Sequence, residues 1–556
     1  MRKFLSICLS CTMLLSCVMP AAAEQAQTVD IVKVEGGLVQ GVDTEKEGVK
    51  LFKGVPFAAD TSGENRWKAP QPVEPWEGVR VCDTWGDQVI QEPGLNPVGT
   101  FWGDEFYFDP AFTPEISENG LNLNVYTPAK TPEDNLPVLM FIHGGGNNHG
   151  HASEMEFYAT ELAAKGIVVV TVQYRVSAFG FMVNSQLAEE NDGVCGNYAM
   201  LDLIKALQWI HEYIAGFGGN PNEVTIAGQS AGAQNVTALL RSPLAKGLFN
   251  KVIVQSGFGG FLTEEGKKIY RDMETAKAEG DQAILDAFGE MKTLEELRAM
   301  DPFEMMNTPA ACGKGTVYSV LSKGRQVIDG YVFTEESVDL SRDGALDGID
   351  IIIGGTSDES TSLSGKVDGK MDMATFAEKM SIYGDDYKAA YDPADEQEAY
   401  RMQLRSKSDM YLGRYLVSAM YTNEHSDTDV YTYYFSQKLP GRNDDFYGAF
   451  HSSELWYTFN SMRDVEGQRE WTEDDHALAD QMSSYVANFV KTGDPNGEGL
   501  PKWEKCTGKN GAPFMEWGNS KSECKTVTEY PERFNLNMDY NLNAYGVTAE
   551  ELGYTR

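Results

Sequence analysis

Residues 223–233 read EVTIAGQSAGA, an apolar run that ends and, through Gly228-Gln229-Ser230-Ala231-Gly232, hands over to the helical pattern NVTALLRS. In a chain with 55 glycines the letters Gly-x-Ser-x-Gly arise by chance, so the flanks decide. A serine at a sharp strand-to-helix turn sits in a strained backbone conformation that tolerates only small neighbours, and Gly228 and Gly232 supply the space. The helix that follows offers backbone N–H groups and a partial positive charge. Ser230 is therefore a candidate nucleophile, with the Ala231 N–H as a candidate donor to an oxyanion.

Working outward, LPVLMFIH (136–143), GIVVVTVQYR (166–175) and KVIVQSG (251–257) are short apolar runs of the kind buried on both faces. Further on, DGIDIIIGG (347–355) and DVYTYYFS (429–436) read the same way. Between Tyr198 and Ile214, Leu203, Leu207, Ile210 and Ile214 recur at helical spacing, and GFGGNPN stops the helix. Strand and helix in alternation predict an α/β class with a large, mostly parallel sheet and helices on both faces. The stretch VDIVKVEGGLVQGV predicts a small antiparallel meander before it. Helical, charged segments near 264–345 and 365–428 read as excursions above the sheet. No linker, repeat or low-complexity tract divides residues 24–556, which are read as one domain.

The formal net charge is −37. Such a balance argues against nucleic acid or an anionic lipid surface as partner, and is read as a solvated acidic coat. The start, MRKFLSICLSCTMLLSCVMPAAAEQAQ, has a basic end, an apolar run too short to span a bilayer, and small residues at Ala21-Ala22-Ala23. It is read as a signal peptide, residues 1–23, and the product as secreted or periplasmic; Leu14-Leu15-Ser16-Cys17 keeps lipoprotein anchoring at Cys17 as a minor alternative. No later stretch reads as a membrane span. Beyond the leader, Cys82, Cys195, Cys312, Cys506 and Cys524 form no disulfide framework, although Cys506 and Cys524 are able to close one loop. No Cys/His spacing reads as a zinc site.

A second glycine turn, His143-Gly144-Gly145-Gly146, follows the run LPVLMFI. Consecutive glycines after a buried strand leave N–H groups free to bind an anion, so Gly145 and Gly146 join Ala231 as oxyanion donors. A serine hydroxyl also needs an imidazole to take its proton and a carboxylate to orient that ring. Spacing alone does not select among the 7 histidines.

The chain resembles the type-B carboxylesterase/lipase family, which includes cholinesterases, animal carboxylesterases, bacterial esterases and the non-catalytic neuroligins. FKGVPFAA (52–59), NRWKAPQPVEPWEGV (65–79), SENGLNLNVYTP (117–128), VQYRVSAFGF (172–181), GNYAMLDLIKALQWI (196–210), FGGNPNEVTIAGQSAGA (217–233), SPLAKGLFNKVIVQSG (242–257) and NFVKTGDPN (488–496) carry it, over roughly residues 29 to 520. The resemblance implies an α/β-hydrolase fold and hydrolysis of small-molecule carboxylic esters without cofactor or metal. Gly354-Gly355-Thr356-Ser357-Asp358-Glu359 matches the family's acid turn and makes Glu359 the acid, with Asp358 the competing carboxylate. GAFHSSELWYTF (448–459) matches the His-x-x-Glu-Leu segment and makes His451 the base.

The departures refine this expectation. Gly120 stands where many members have a cysteine, and Val89 occupies its partner's position, so the usual N-terminal disulfide is missing. Asn147 replaces a common aromatic residue after the glycines, which implies a more polar entrance, and Trp102 is a candidate pocket wall. Gln229 stands where many cholinesterase-like members have Glu. A carboxylate about 5 Å from a cationic ligand contributes roughly 3 kcal/mol at an effective dielectric near 20; Gln supplies none of it, and neutral esters are the expected substrates. A catalytically silent neuroligin-like binding protein, or a peptidase or thioesterase on the same fold, stay open as alternatives.

Overall fold

Lys251–Gln255 and Val168–Val172 are buried at every residue, which requires a layer on each face of the sheet that holds them. The computed structural model describes residues 28–555, apart from 95, 265–266, 323–324, 335–338 and 442–443. The expected leader and Cys17 lie outside the described residues.

An 11-stranded sheet runs in the order Lys521–Lys525, Phe514–Gly518, Val430–Phe435, Asp350–Thr356, Lys251–Gln255, Gly219–Gln229, Leu136–Ile142, Val168–Val172, Asn122–Thr127, Lys50–Pro56, Val42–Asp43. From Phe514–Gly518 to Val168–Val172 every neighbouring pair is parallel, and the pairs at both edges are antiparallel. After Leu136–Ile142 the chain adds Val168–Val172 on one side, then crosses to add Gly219–Gln229 on the other. Such a reversal opens a crevice at the carboxyl ends of the strands, where the turns after Ile142 and Gln229 meet.

Tyr198–Tyr213 is the expected helix, with Leu203, Leu207 and Ile210 in the core. A buried ion pair fixes it to the sheet. Arg175 donates from Nε and Nη2 to the two Asp202 oxygens at 2.8 and 2.7 Å, and its backbone N–H adds a third bond at 3.0 Å. Both side chains are buried, so neither has water as an alternative partner.

The structure corrects two expectations. Ile31–Val34 and Gly37–Gln40 form an antiparallel hairpin, but its third strand, Val79–Val81, is parallel and comes from later in the chain. The continuous meander breaks at Gly41, which lies on the Phe52 ring, and Val42–Asp43 passes to the edge of the large sheet. The second difference is the 30-residue helix Glu396–His425, which is a layer of the core rather than an excursion. Leu412, Tyr415, Leu416 and Met420 join the main core. Its polar residues are buried in pairs: Asp409 meets Arg533 Nε at 2.9 Å and Tyr391 at 2.7 Å. The earlier segment keeps a core of its own, where Met305, Val317 and Leu321 pack with Trp67 and Phe179.

All five described cysteines are free, Cys506 and Cys524 among them. Gly120 lies directly against Val89, whose backbone N would be 2.8 Å from a Cβ at residue 120, so the two positions are adjacent without a disulfide.

Replacing Asp202 by Ala strands the Arg175 charge in the core, a loss of about 3–5 kcal/mol for a broken buried pair. Urea or thermal unfolding of Asp202→Ala should show that loss; a change under about 1 kcal/mol would mean the pair does not anchor the helix.

Candidate active site

Ser230 has φ 56° and ψ −122°, a conformation that a non-glycine residue holds only when its surroundings enforce it. The enforcement is steric and specific. A Cβ on Gly228 would lie 2.4 Å from the carbonyl carbon of Gly232, and a Cβ on Gly232 would lie 2.0 Å from the Ile142 carbonyl oxygen. Neither position accepts a side chain, so strand end and helix start pass in backbone contact. Helix Ala231–Arg241 begins at once behind Ser230, and the Ser230 N–H is held by the Gln255 carbonyl at 2.9 Å.

The other glycine turn faces this one. Gly145 and Gly146 have φ 96° and 64°, and a Cβ at Gly144 would be 3.2 Å from that of Ser230. Among the described residues the N–H groups of Gly144, Gly145 and Gly146 donate to no protein acceptor. Asn147 ties the turn down: its Oδ1 accepts from Asn235 Nδ2 at 2.9 Å and from the Tyr174 hydroxyl at 3.3 Å. His143 braces the same turn, its Nδ1 3.0 Å from the Gly144 carbonyl oxygen and its ring stacked on Tyr174 at 4.4 Å. Burial holds the His143 pKa down to about 3, so this imidazole stays neutral.

Glu359 follows strand Asp350–Thr356, and His451 lies in the loop after Tyr447. The two loops are joined through their backbones, with the Asp358 N–H donating to the Ala449 carbonyl at 3.0 Å. Glu359 Oε2 contacts His451 Nδ1, and its Oε1 accepts from the Thr356 N–H at 2.9 Å. Both side chains are buried. Asp358, the competing carboxylate, turns away to Arg405 Nη1 at 2.8 Å and to Ser357. With Nδ1 facing a carboxylate, His451 Nε2 is the free acceptor. Its neighbour is the Gln229 amide nitrogen, at 3.4 Å. No hydrogen bond joins Ser230 Oγ to the ring among the described residues; such bonds are commonly loose before substrate binds.

The family of the chain is decided by its full length. The model of the carboxylesterase family matches residues 28–535. The chain belongs to the carboxylesterase family. The para-nitrobenzyl esterase of Bacillus subtilis (strain 168) is 30% identical over 482 residues, covering 85% of this chain and 92% of that protein. Carboxylesterase 1F of Mus musculus is 29% identical, covering 90% and 92%. Among solved structures, a PNB esterase superposes with TM-score 0.72 at 26% identity over 92% of this chain and 99% of that one. A carboxylesterase of Geobacillus stearothermophilus gives 0.69 at 28% identity, over 91% and 100%. The fold is that of an α/β-hydrolase, and the protein is a carboxylic ester hydrolase acting on small-molecule esters. No described helix is long and apolar enough to cross a membrane.

Around the site of this carboxylesterase, sequence reading placed some residues and missed others. Asn147 borders the cavity that opens beside the glycine turn. Gln229 is buried, with its amide nitrogen against His451 Nε2. Trp102 stacks on Phe106 at 5.8 Å in an aromatic cluster whose Phe101 packs on Phe450, the residue before His451. His151 and Glu154 are engaged locally: Glu154 Oε1 accepts from Tyr107 and from the His151 N–H.

Phe258 and Glu454 also bear on the site; Glu454 is the carboxylate of the His-x-x-Glu-Leu match, to which the sequence assigned no role. The Phe258 ring stacks on His451, centroids 5.1 Å apart. Its positive φ, like that of Ser256, gives no sequence signal beyond the glycines of GFGG. Glu454 accepts from Ser256 Oγ at 3.0 Å and is fully buried. Burial, then the charge of Glu359, pushes its pKa up to about 8.

Glu454 carries its proton in the folded chain at pH values where the unfolded chain, near its ordinary 4.5, has lost it. The stability so contributed is complete below that ordinary value and is lost as pH rises through about 8. Melting temperatures between about pH 5 and 9 should fall with pH in the wild type and fall less in Glu454→Gln. Parallel curves for the two proteins would contradict a protonated Glu454.

Proposed function

We propose that the protein hydrolyses neutral carboxylic esters through an acyl-enzyme on Ser230, with His451 as base and Glu359 as its orienting acid. The observation that carries the reading is the Glu359–His451 contact, made across two backbone-paired loops beside a serine held in a strained turn. His451 takes the Ser230 proton as Oγ attacks the ester carbonyl carbon. Glu359 keeps Nδ1 protonated and balances the imidazolium. The N–H groups of Gly145, Gly146 and Ala231 receive the oxyanion, and the free state of the glycine donors supports that role. His451 then returns the proton to the leaving alcohol, and water deacylates the serine by the same route. The Gln229 amide, beside Nε2, is placed to hold the neutral ring and leave again once the serine hydroxyl engages it.

The preference for neutral over cationic esters follows from the same residue, since Gln229 sets no charge beside the ester bond. The silent, neuroligin-like alternative is disfavoured because Ser230, Glu359 and His451 are all present and the last two are in contact. An oxygen ester is favoured over a thioester because the similar proteins are carboxylesterases and para-nitrobenzyl esterases. Export by the leader at residues 1–23 is part of the reading and rests on the sequence alone.

Ser230→Ala or His451→Ala should lower the hydrolysis of 4-nitrophenyl butyrate by about 10⁴- to 10⁶-fold with the fold intact. Turnover within about tenfold of wild type by a folded Ser230→Ala protein would refute the assignment. Butyrylcholine should be cleaved no faster than its uncharged carbon isostere, 3,3-dimethylbutyl butyrate; a clear preference for the cation would refute the reading of Gln229.

A further inference from the structure

Beside the glycine turn a cavity of about 820 Å³ opens, bordered at its inner end by Gly146, Asn147 and Phe258, the ring that stacks on His451. It thus adjoins the proposed active site through the glycine turn and the ring packed on His451. In a chain of net charge −37 its described lining is cationic: Arg241, Lys267, Lys268, Arg325 and Arg414 stand against one carboxylate, Glu264. That carboxylate serves two of them, accepting from Arg414 Nη2 at 2.9 Å and pairing with Lys267. Arg414 is also anchored to the site itself, since its Nη1 donates to the Phe258 carbonyl at 2.7 Å. Among the described residues Lys268 makes only a long contact of 3.9 Å with Asp272, and it is mostly exposed. Arg325 is exposed and makes no ion pair among the described residues.

We infer that this mouth recognises a negative charge, so that the favoured substrates are esters carrying a carboxylate at the end remote from the bond that is cleaved. The inference rests on the ester-hydrolysis reading above and refines it. Gln229 adds no charge of its own beside the ester bond, and the charge is read farther out. Like charges are rarely gathered on one cavity wall without an anion to receive, because their mutual repulsion is relieved only when one arrives. The overall acidic surface does not cancel the effect. At about 0.1 M salt the screening length is about 10 Å, so a bound anion responds to the nearby cations and little to remote acids. A compact cavity bordered by cations also focuses the field on a ligand inside it. Arginine suits the task, since its planar fork can hold both oxygens of a carboxylate.

The test compares 4-nitrophenyl hydrogen adipate with its methyl ester, which differ in the terminal charge, by release of nitrophenolate from the full chain. At low ionic strength kcat/KM for the acid should exceed that for the methyl ester by on the order of tenfold, and the ratio should shrink toward one in about 0.5 M NaCl. In Lys268→Gln/Arg325→Gln the ratio should approach one, and in Arg325→Lys most of it should remain. A wild-type ratio of one or below would overturn the inference while leaving ester hydrolysis intact, as would a ratio that neither salt nor the double substitution changes. Failure to cleave either ester, with the fold verified, would overturn the ester-hydrolysis reading and this inference with it.

Discussion

The arrangement depends on two backbones passing closer than side chains allow. Gly232, in the first turn of helix Ala231–Arg241, lies against the Ile142 and His143 carbonyls, where a Cβ would be 2.0 and 2.6 Å away. That contact fixes the helix start against the end of Leu136–Ile142 and sets how near the turn Gly144–Gly146 comes to Ser230. The strained φ of Ser230, the close approach of the glycine turn and the position of the helix N-terminus are consequences of one steric constraint. The strand order that brings these ends together reverses at Leu136–Ile142, where an open α/β sheet leaves its crevice.

The other half of the site is built by different means. Glu359 and His451 come from segments about 90 residues apart, and what unites them is the backbone pairing of Asp358 with Ala449, reinforced by the Asp358 carboxylate accepting from the Ala449 N–H at 3.2 Å. Asp358 therefore positions the loops while Glu359 faces the ring. Behind them burial, then the charge of Glu359, raises the Glu454 pKa to about 8. Beside the glycine turn, cations border the cavity. The uncharged Gln229 next to His451 and this cationic lining are separate features, set by separate residues.

Much of this was legible in the sequence, and for identifiable reasons. Strands buried on both faces write themselves as apolar runs, so 136–143, 166–175, 251–257, 347–355 and 429–436 were readable. So was Tyr198–Tyr213, whose apolar spacing survives at the core face. Ser230 was readable from its flanks, because a tight strand-to-helix turn demands glycine on both sides. His451 and Glu359 were not readable from spacing, since their meeting depends on the register of distant strands; only the resemblance to the family pointed to them. Glu396–His425 misled because its buried charges satisfy one another across chain segments, which a local pattern records as a surface. Phe258 and the orientation of Gln229 left no local signature, and Glu454, visible in the His-x-x-Glu-Leu match, showed nothing there of its burial.

The central claim is that Ser230 is the residue these constraints activate. A fluorophosphonate probe reacts only with a serine whose hydroxyl is activated and whose oxyanion is stabilised, so treating the intact protein with it and mapping the adduct by peptide mass spectrometry tests the claim directly. The account predicts one adduct, on the peptide containing Ser230, and its loss in His451→Ala. No adduct on the folded wild type, or an adduct on another serine, would contradict it.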